Sequence, residues 1–389
     1  MTLEIPLKNP NPDFNYLTRV LNGEILPNRV ISGELLVDEE IKRLIIENYF
    51  NEKNVPPPSS QRLGSSEEDT SFRETEDYKR AYRAYHKQLI SFYCRMDYHF
   101  IPDLEFYLDF SSINNVSRVG KDSAILSRGE RYWAQEDFGM IRSWEDFEKF
   151  PWEKAEKMLD DYGLHLEFMA NNLPDGMKIA AQAAMFEPVL EWMLGYQGLF
   201  FASYDNPELV KAIFDKFGSL IYRSYEIAAS MDAVGVIWHG DDLGYKTGTI
   251  ISPGFLRKWV FPWFKKFGDV ARKYDKPFWY HCCGNKSEIM SDLIDYCGFG
   301  AIHSFEDGCC SVIDYKRKYG SKIGLIGGVD IDKLARLDED NLREYVRNIL
   351  DNCMPGGKYI FGSGNSICNF IPVKNYLVMI DESRKWAYK

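Results

Sequence analysis

The stretch KPFWYHCCGNKSEIM, residues 276–290, ends an apolar run in a histidine and two adjacent cysteines, followed at once by Gly-Asn. Residues two apart on an extended strand share a face, so His281 and Cys283 project together while Cys282 points the opposite way. One imidazole and one thiolate on a common face are two of the three protein donors of a catalytic zinc site. The same residues also fit a packed core histidine with incidental thiols. Cys368, just beyond the segment GSGNS, is the first candidate for a third ligand, and a half-buried core thiol is the other reading of it. His239, Asp241 and Asp242 close the run AVGVIWHGDD and could supply nitrogen or oxygen donors instead. A strand end would aim only one of the two adjacent carboxylates inward, where it could fix a metal, orient an imidazole or accept a proton. HSFED adds His303, Glu306 and Asp307, while Cys309 and Cys310 beyond it read as inert loop thiols.

These residues need a scaffold that gathers strand ends. Six stretches read as strands: MKIAAQAAM, AVGVIWHGDD, KPFWYHCCGN, GAIHSFED, SKIGLIGGVD and KYIFGSGNS. Helical patterns of about a dozen residues separate most of them, the signal for repeated βα units. After TIISP, for example, Ser252 is an expected N-cap with Pro253 at the first helical position, and Pro262 is expected to kink the helix that follows. Nearly every strand is apolar through its middle and polar only at its C-terminal end. Five strands delivering polar groups to one rim predict a (β/α)8 TIM-like barrel, whose active site is built from those ends, over a doubly wound sheet. The expected organisation is an N-terminal helical extension over residues 1–95, with a mobile Pro/Ser-rich loop at about 52–75, and the barrel over 96–389.

The 389 residues are 45% hydrophobic, enough for one large core. A net charge of −11 argues against a nucleic-acid or anionic-membrane surface and favours a small-molecule or protein partner. The stretch MTLEIPLKNPNPDFNYLTRV has neither a basic nor an apolar leader region, and no uncharged run reaches membrane length, so a soluble cytoplasmic protein is expected. Its 8 cysteines are too sparse for a disulfide scaffold and fit reduced thiols. DFG at 137–139 lacks the other kinase elements, and LIGGVD lacks a strand-GxGxxG-helix context.

The ordered set GDDLG, ISP, HCCGN, HSFED, YGSKIGLIGGVD and GSGNSI resembles the uroporphyrinogen decarboxylase superfamily, in the branch that includes corrinoid-dependent methyltransferases. The similarity is best over about 230–380, with GELLVDEEIKRLI and EDFGMIRSWEDFEKFPW similar to the family's approach to the barrel. The arginine-rich RQAGR-type motif that binds the many carboxylates of uroporphyrinogen has no counterpart here, which disfavours that decarboxylation. The methyltransferase branch uses zinc held by a His-x-Cys pair and a distant cysteine. His281 and Cys283 fall on the pair, whereas the distant cysteine would fall near Asn365, three residues from Cys368.

What the resemblance implies is a zinc-assisted methyltransferase that moves a methyl group between a small methylated compound and a corrinoid (cobalamin) protein or a thiol. The implied metal ligands are His281 and Cys283, with Cys368 the first candidate for the third and Asp241 or Asp242 the alternative that would complete the coordination or orient a ligand. Asp241, Asp242, His239 and Glu306 are the catalytic candidates, and Gln182, His303, Asp307 and Asn365 are expected to line the substrate pocket. A methyl donor, a corrinoid protein and a second copy of the chain are the expected partners. Two alternatives stand beside this reading: a metal-independent decarboxylase or lyase working through Asp241 and His239, and a non-catalytic ligand- or partner-binding barrel.

Overall fold

The computed structural model describes residues 4–58, 75–106, 118–133 and 137–388. Most of the Pro/Ser-rich stretch at about 52–75, expected to be a mobile loop, lies outside those residues. Strand β1 (Phe100–Asp103) is followed by a small antiparallel hairpin, β2 (Arg118–Lys121) and β3 (Glu130–Trp133). The remaining strands are β4 (Lys178–Ala183), β5 (Val234–Gly240), β6 (Phe278–His281), β7 (Ala301–His303), β8 (Gly324–Ile326) and β9 (Tyr359–Ile360). All six stretches read as strands from their apolar runs are therefore strands. They join β1 in one parallel sheet of order β1-β4-β5-β6-β7-β8-β9. Each strand pairs with the next in sequence, and helices such as Pro207–Ala229, Phe261–Lys273 and Glu339–Cys353 return the chain across the outside. This is an α/β barrel.

The wall takes a contribution from the segment that the sequence set apart as an extension. Ser32 and Val37 bridge in parallel to Phe361 and Ile367, beyond β9. A Cβ added to Gly33 would stand 3.1 Å from the ring of Phe100 on β1, so the same segment lies along β9 and faces β1. The inward positions Phe100, Ala180, Val236, Trp238, Trp279, Ala301, Ile326 and Ile360 pack together, and Phe14, Leu17, Val20 and Leu21 of the helix Phe14–Asn22 close that core. Trp238 and Trp279 meet edge to face at 5.5 Å between centroids, which suits the aromatic quadrupoles. The barrel is thus a filled core with one polar rim.

Ser252 caps the following turn by accepting the Phe255 N–H at 3.3 Å, with Pro253 at the first helical position. The helical run then widens into a π turn over Leu256–Val260, immediately before Pro262, whose missing N–H removes a helical bond. Among the described residues no helix is long and apolar enough to cross a membrane.

Candidate functional site

Strand alternation decides which polar groups reach the rim. Trp279 faces the barrel core, so His281 does too, and Cys282 faces outward. Cys282 is fully buried there, accepts the Leu243 N–H at 3.3 Å, and has its thiol pushed up to about 12 by burial. Cys283 returns to the rim half-buried. The glycine that follows has a steric reason: Gly284 sits at φ +70°, and a Cβ there would meet the backbone of Gly244 at 2.4 Å. That close approach lets Tyr245 and Asn285 bridge, tying the ends of β5 and β6 together.

A chain of hydrogen bonds fixes the imidazoles. His303 Nε2–H donates to the Ser363 carbonyl at 3.2 Å, so its Nδ1 is an acceptor. His281 Nδ1 lies 2.7 Å from that nitrogen and must carry the proton between them. His281 Nε2 is then left as a lone pair, 3.6 Å from Cys283 Sγ and 3.6 Å from Asp242 Oδ1. Burial, with the Lys286 ammonium adding to it, holds the His281 imidazole down to about 3, so it is neutral. Burial first, then Asp242, raises the Cys283 thiol.

Asp242, His281 and Cys283 each offer one donor atom, and the three atoms lie within 4.8 Å of one another. Bonds of about 2.3 Å to sulfur and 2.0–2.2 Å to nitrogen and oxygen would set tetrahedral donors roughly 3.4–3.6 Å apart. The residues present therefore fit a zinc-type cation with little movement. His281 also has its second nitrogen held by a partner, as metal-bound imidazoles do.

The other expected residues divide. Asn365, placed where the resemblance puts a distant cysteine, does meet the pair: its Nδ2 donates to Cys283 Sγ at 3.1 Å. Cys368 is not brought into the group; its thiol bonds the Ser366 carbonyl at 3.5 Å, and the charges acting on it are Asp38, Arg131 and Arg128. Of the adjacent carboxylates, only Asp242 is turned to the pair. Asp241 is fully buried and accepts the N–H groups of Met185, Phe186 and Glu187 at 2.9–3.1 Å, together with His239 Nε2 at 2.9 Å. His239 is out of phase with the inward Trp238, and packs outside the barrel against Phe264 and Tyr280. Glu306 is exposed, and Asp307 is held by Lys333 at 2.6 Å and Tyr345 at 2.9 Å. Gln182 pairs in register with Trp238, and both side chains bury a donor nitrogen that has no acceptor among the described residues. Cys310, read as a loop thiol, is buried beside Lys286.

Sequence reasoning missed Glu187 and Glu191. Burial, then Asp242 and Asp241, raises the Glu187 carboxyl well above the usual range and Glu191 to about 7, so both face the same acidic rim. Their spacing of four, just after the C-terminal end of β4, is a signal that could have found them. Lys286 was also missed: fully buried, it donates to the carbonyls of Cys282, Gly284 and Ser304 at 2.8–3.3 Å and pins the loop that carries Cys283.

Glu34 supports the rim from below. Its carboxyl is buried, pushed up to about 8 by that burial, and accepts the Ser363 N–H at 3.0 Å. Protonated, it can donate to Ser363 Oγ, whose own hydrogen then goes to the Asn365 carbonyl. The unfolded chain releases this proton near the ordinary value of 4.5, and the folded protein only near 8. Stability from this group therefore falls as pH rises between those values. Glu34→Gln, an isostere of the neutral acid, is expected to flatten that slope and to gain a few kcal/mol, roughly, over wild type at the alkaline end of the window. Urea melts at acidic and alkaline pH check this; parallel stability curves for the two proteins would contradict it.

A parallel barrel with a His-x-Cys pair and carboxylates gathered on its C-terminal rim defines an α/β-barrel enzyme class. The chain belongs to the uroporphyrinogen decarboxylase (URO-D) family, whose profile matches residues 143–386. A methyltransferase from Methanosarcina mazei has the same fold, with a TM-score of 0.62 at 13% identity over 95% of this chain and 97% of that one. A structure described as a vitamin B12-independent methionine synthase from Listeria monocytogenes aligns over 93% of this chain and 99% of its own at 12% identity, with a TM-score of 0.46. Among proteins of curated function, none matches the chain in sequence.

Proposed function

We propose that the chain is a methyltransferase that moves a methyl group between a small methylated compound and a corrinoid carried by a separate protein, or a thiol. The observation that carries this reading is the convergence of His281 Nε2, Cys283 Sγ and the Asp242 carboxylate within 4.8 Å. In this reading they hold zinc, with Asp242 in the place first assigned to Cys368. When bound there, zinc supplies a Lewis acid that draws charge from the heteroatom exchanging the methyl group.

The chain's own residues do the rest. His303 holds the His281 ring in the ligating tautomer. Asn365 Nδ2–H, directed at Cys283 Sγ, stabilises negative charge on that sulfur. The Asp242 carboxylate beside the Glu187 and Glu191 carboxyls, which burial holds toward their neutral forms, suits a neutral or cationic methyl donor better than a polyanion. The Glu191 carboxyl, at about 7, can hold a proton for the departing heteroatom. Asp241 and His239 are fully committed to each other, to backbone N–H groups and to the Tyr225 hydroxyl, so a metal-free lyase would have to run on Glu187 and Glu191 instead.

The test is to mix the zinc-loaded protein with cob(I)alamin and a panel of methylated amines, thiols and ethers. Formation of methyl-cob(III)alamin, read by its absorbance, is the expected result. No spectral change across the panel, in either transfer direction and with thiols as acceptors, removes the proposal's main support.

A further inference from the structure

A second group of donors lies apart from the rim site. His86 on the helix Glu76–Arg95, Glu105 just after β1, and His165 on the helix Trp152–Ala170 are all buried, and their ligand atoms lie within 4.8 Å of one another. Three separate elements converge on this point, although local packing of any one of them requires none of these polar groups.

Both rings are oriented as metal-bound imidazoles are. His86 Nδ1–H donates to the Tyr82 carbonyl at 2.9 Å, turning Nε2 toward Glu105 Oε2 at 3.9 Å. His165 Nε2 is held by Asp103 Oδ1 at 2.7 Å, turning Nδ1 toward the Tyr82 hydroxyl, which also faces Glu105 Oε1 at 3.5 Å. Each imidazole thus has its far nitrogen tied to an oxygen acceptor, one of them a carboxylate, the outer-shell arrangement that fixes tautomer and raises ligand basicity. Tetrahedral donors would stand roughly 3.3 Å apart, so the group needs to contract by up to about 1.5 Å, with the Tyr82 hydroxyl moving off His165 Nδ1 to admit the ion. A path for an ion exists, because His86, Asp103 and Glu105 line a cavity of about 830 Å³.

We infer that His86 Nε2, His165 Nδ1 and the Glu105 carboxylate form a second site for a divalent transition cation, with its remaining position toward the Tyr82 hydroxyl and this cavity. Two imidazoles and one carboxylate suit zinc, cobalt, iron or manganese and contain no sulfur, which distinguishes this site from the one at Cys283.

That difference gives the test. Metal-stripped Cys283→Ala protein is titrated with Co²⁺ and followed by visible absorbance, with circular dichroism as the check on folding. The expected result is one equivalent bound, with d–d bands and no sulfur-to-cobalt charge-transfer band. Adding Glu105→Gln, or His86→Gln as a second variant on a different element, should then weaken binding by at least about tenfold. Folded Cys283→Ala protein that takes up no cobalt overturns the proposal, leaving the cluster as a buried hydrogen-bond network. So does an equivalent indifferent to both added substitutions, which would belong to the remnant of the rim site. In the unsubstituted protein the charge-transfer band reports the Cys283 site independently, so either site can fail without the other.

Discussion

Replacing Cys283 with alanine is expected to remove one equivalent of bound zinc while leaving the protein folded. The thiol is half-buried, and its polar contacts, Asn365 Nδ2 at 3.1 Å, His281 Nε2 at 3.6 Å and Ser304 Oγ at 3.7 Å, are weak bonds to sulfur whose loss costs the fold little. Its loss as a ligand is a different matter. Even outer-shell partners of a metal are worth about 10–100-fold in affinity, so losing one of three protein donors should cost more than about 100-fold. Metal content by mass spectrometry, on protein purified without affinity-tag metals, decides the point. If the unsubstituted protein is folded, stable and takes up no zinc at the rim, the cysteines are packing groups. The chemistry would then have to be sought around Glu187 and Glu191, whose carboxyls burial has already raised.

What could be read from the chain and what could not follows from the range of the contacts involved. Strand existence depends on a short apolar run within one segment, and the inward placement of His281 on the alternation of side chains along it, both of which are local. The outward placement of Cys282 follows from the same period. His239 was within reach of that argument as well, because Trp238 is the large apolar residue that must fill the barrel, and its neighbour then faces the helices. The limits appear where loops and distant segments meet. Glu34 and Ser363 are bonded across 329 residues, and no local pattern in GELLVDEE announces it. The choice of Asp242 over Cys368 depends on how the turn after β5 folds onto Gly284, a backbone approach that period arguments do not contain. Asp307 reads as a rim carboxylate, but Lys333 and Tyr345, on elements that follow β8, claim it.

Asp241 and Asp242 are adjacent in sequence and are expected to fail in opposite ways when replaced. The Asp241 carboxylate accepts three backbone N–H groups from Met185 to Glu187 and the Nε2–H of His239, which exhausts its lone pairs and fixes the start of the turn that presents Glu187. Asp241→Ala leaves those buried donors without an acceptor, and the cost should be about 3–5 kcal/mol, as for a broken buried charge network. Asp242 is partly exposed and accepts one backbone bond, from Cys283 N at 2.7 Å, so Asp242→Ala should cost about 1 kcal/mol. In the proposed site its loss would fall instead on the bound zinc, through the missing oxygen donor and through a Cys283 that is no longer held toward His281. Urea unfolding midpoints and zinc content, measured on both variants, separate the two roles. Equal losses of stability with zinc retained in Asp242→Ala would show that both carboxylates are scaffold. The pattern expected is a crossed one, because four satisfied donors around Asp241 leave no lone pair for an ion, while the Asp242 carboxylate stands 3.6 Å from a lone pair that the His303 contact has already turned toward it.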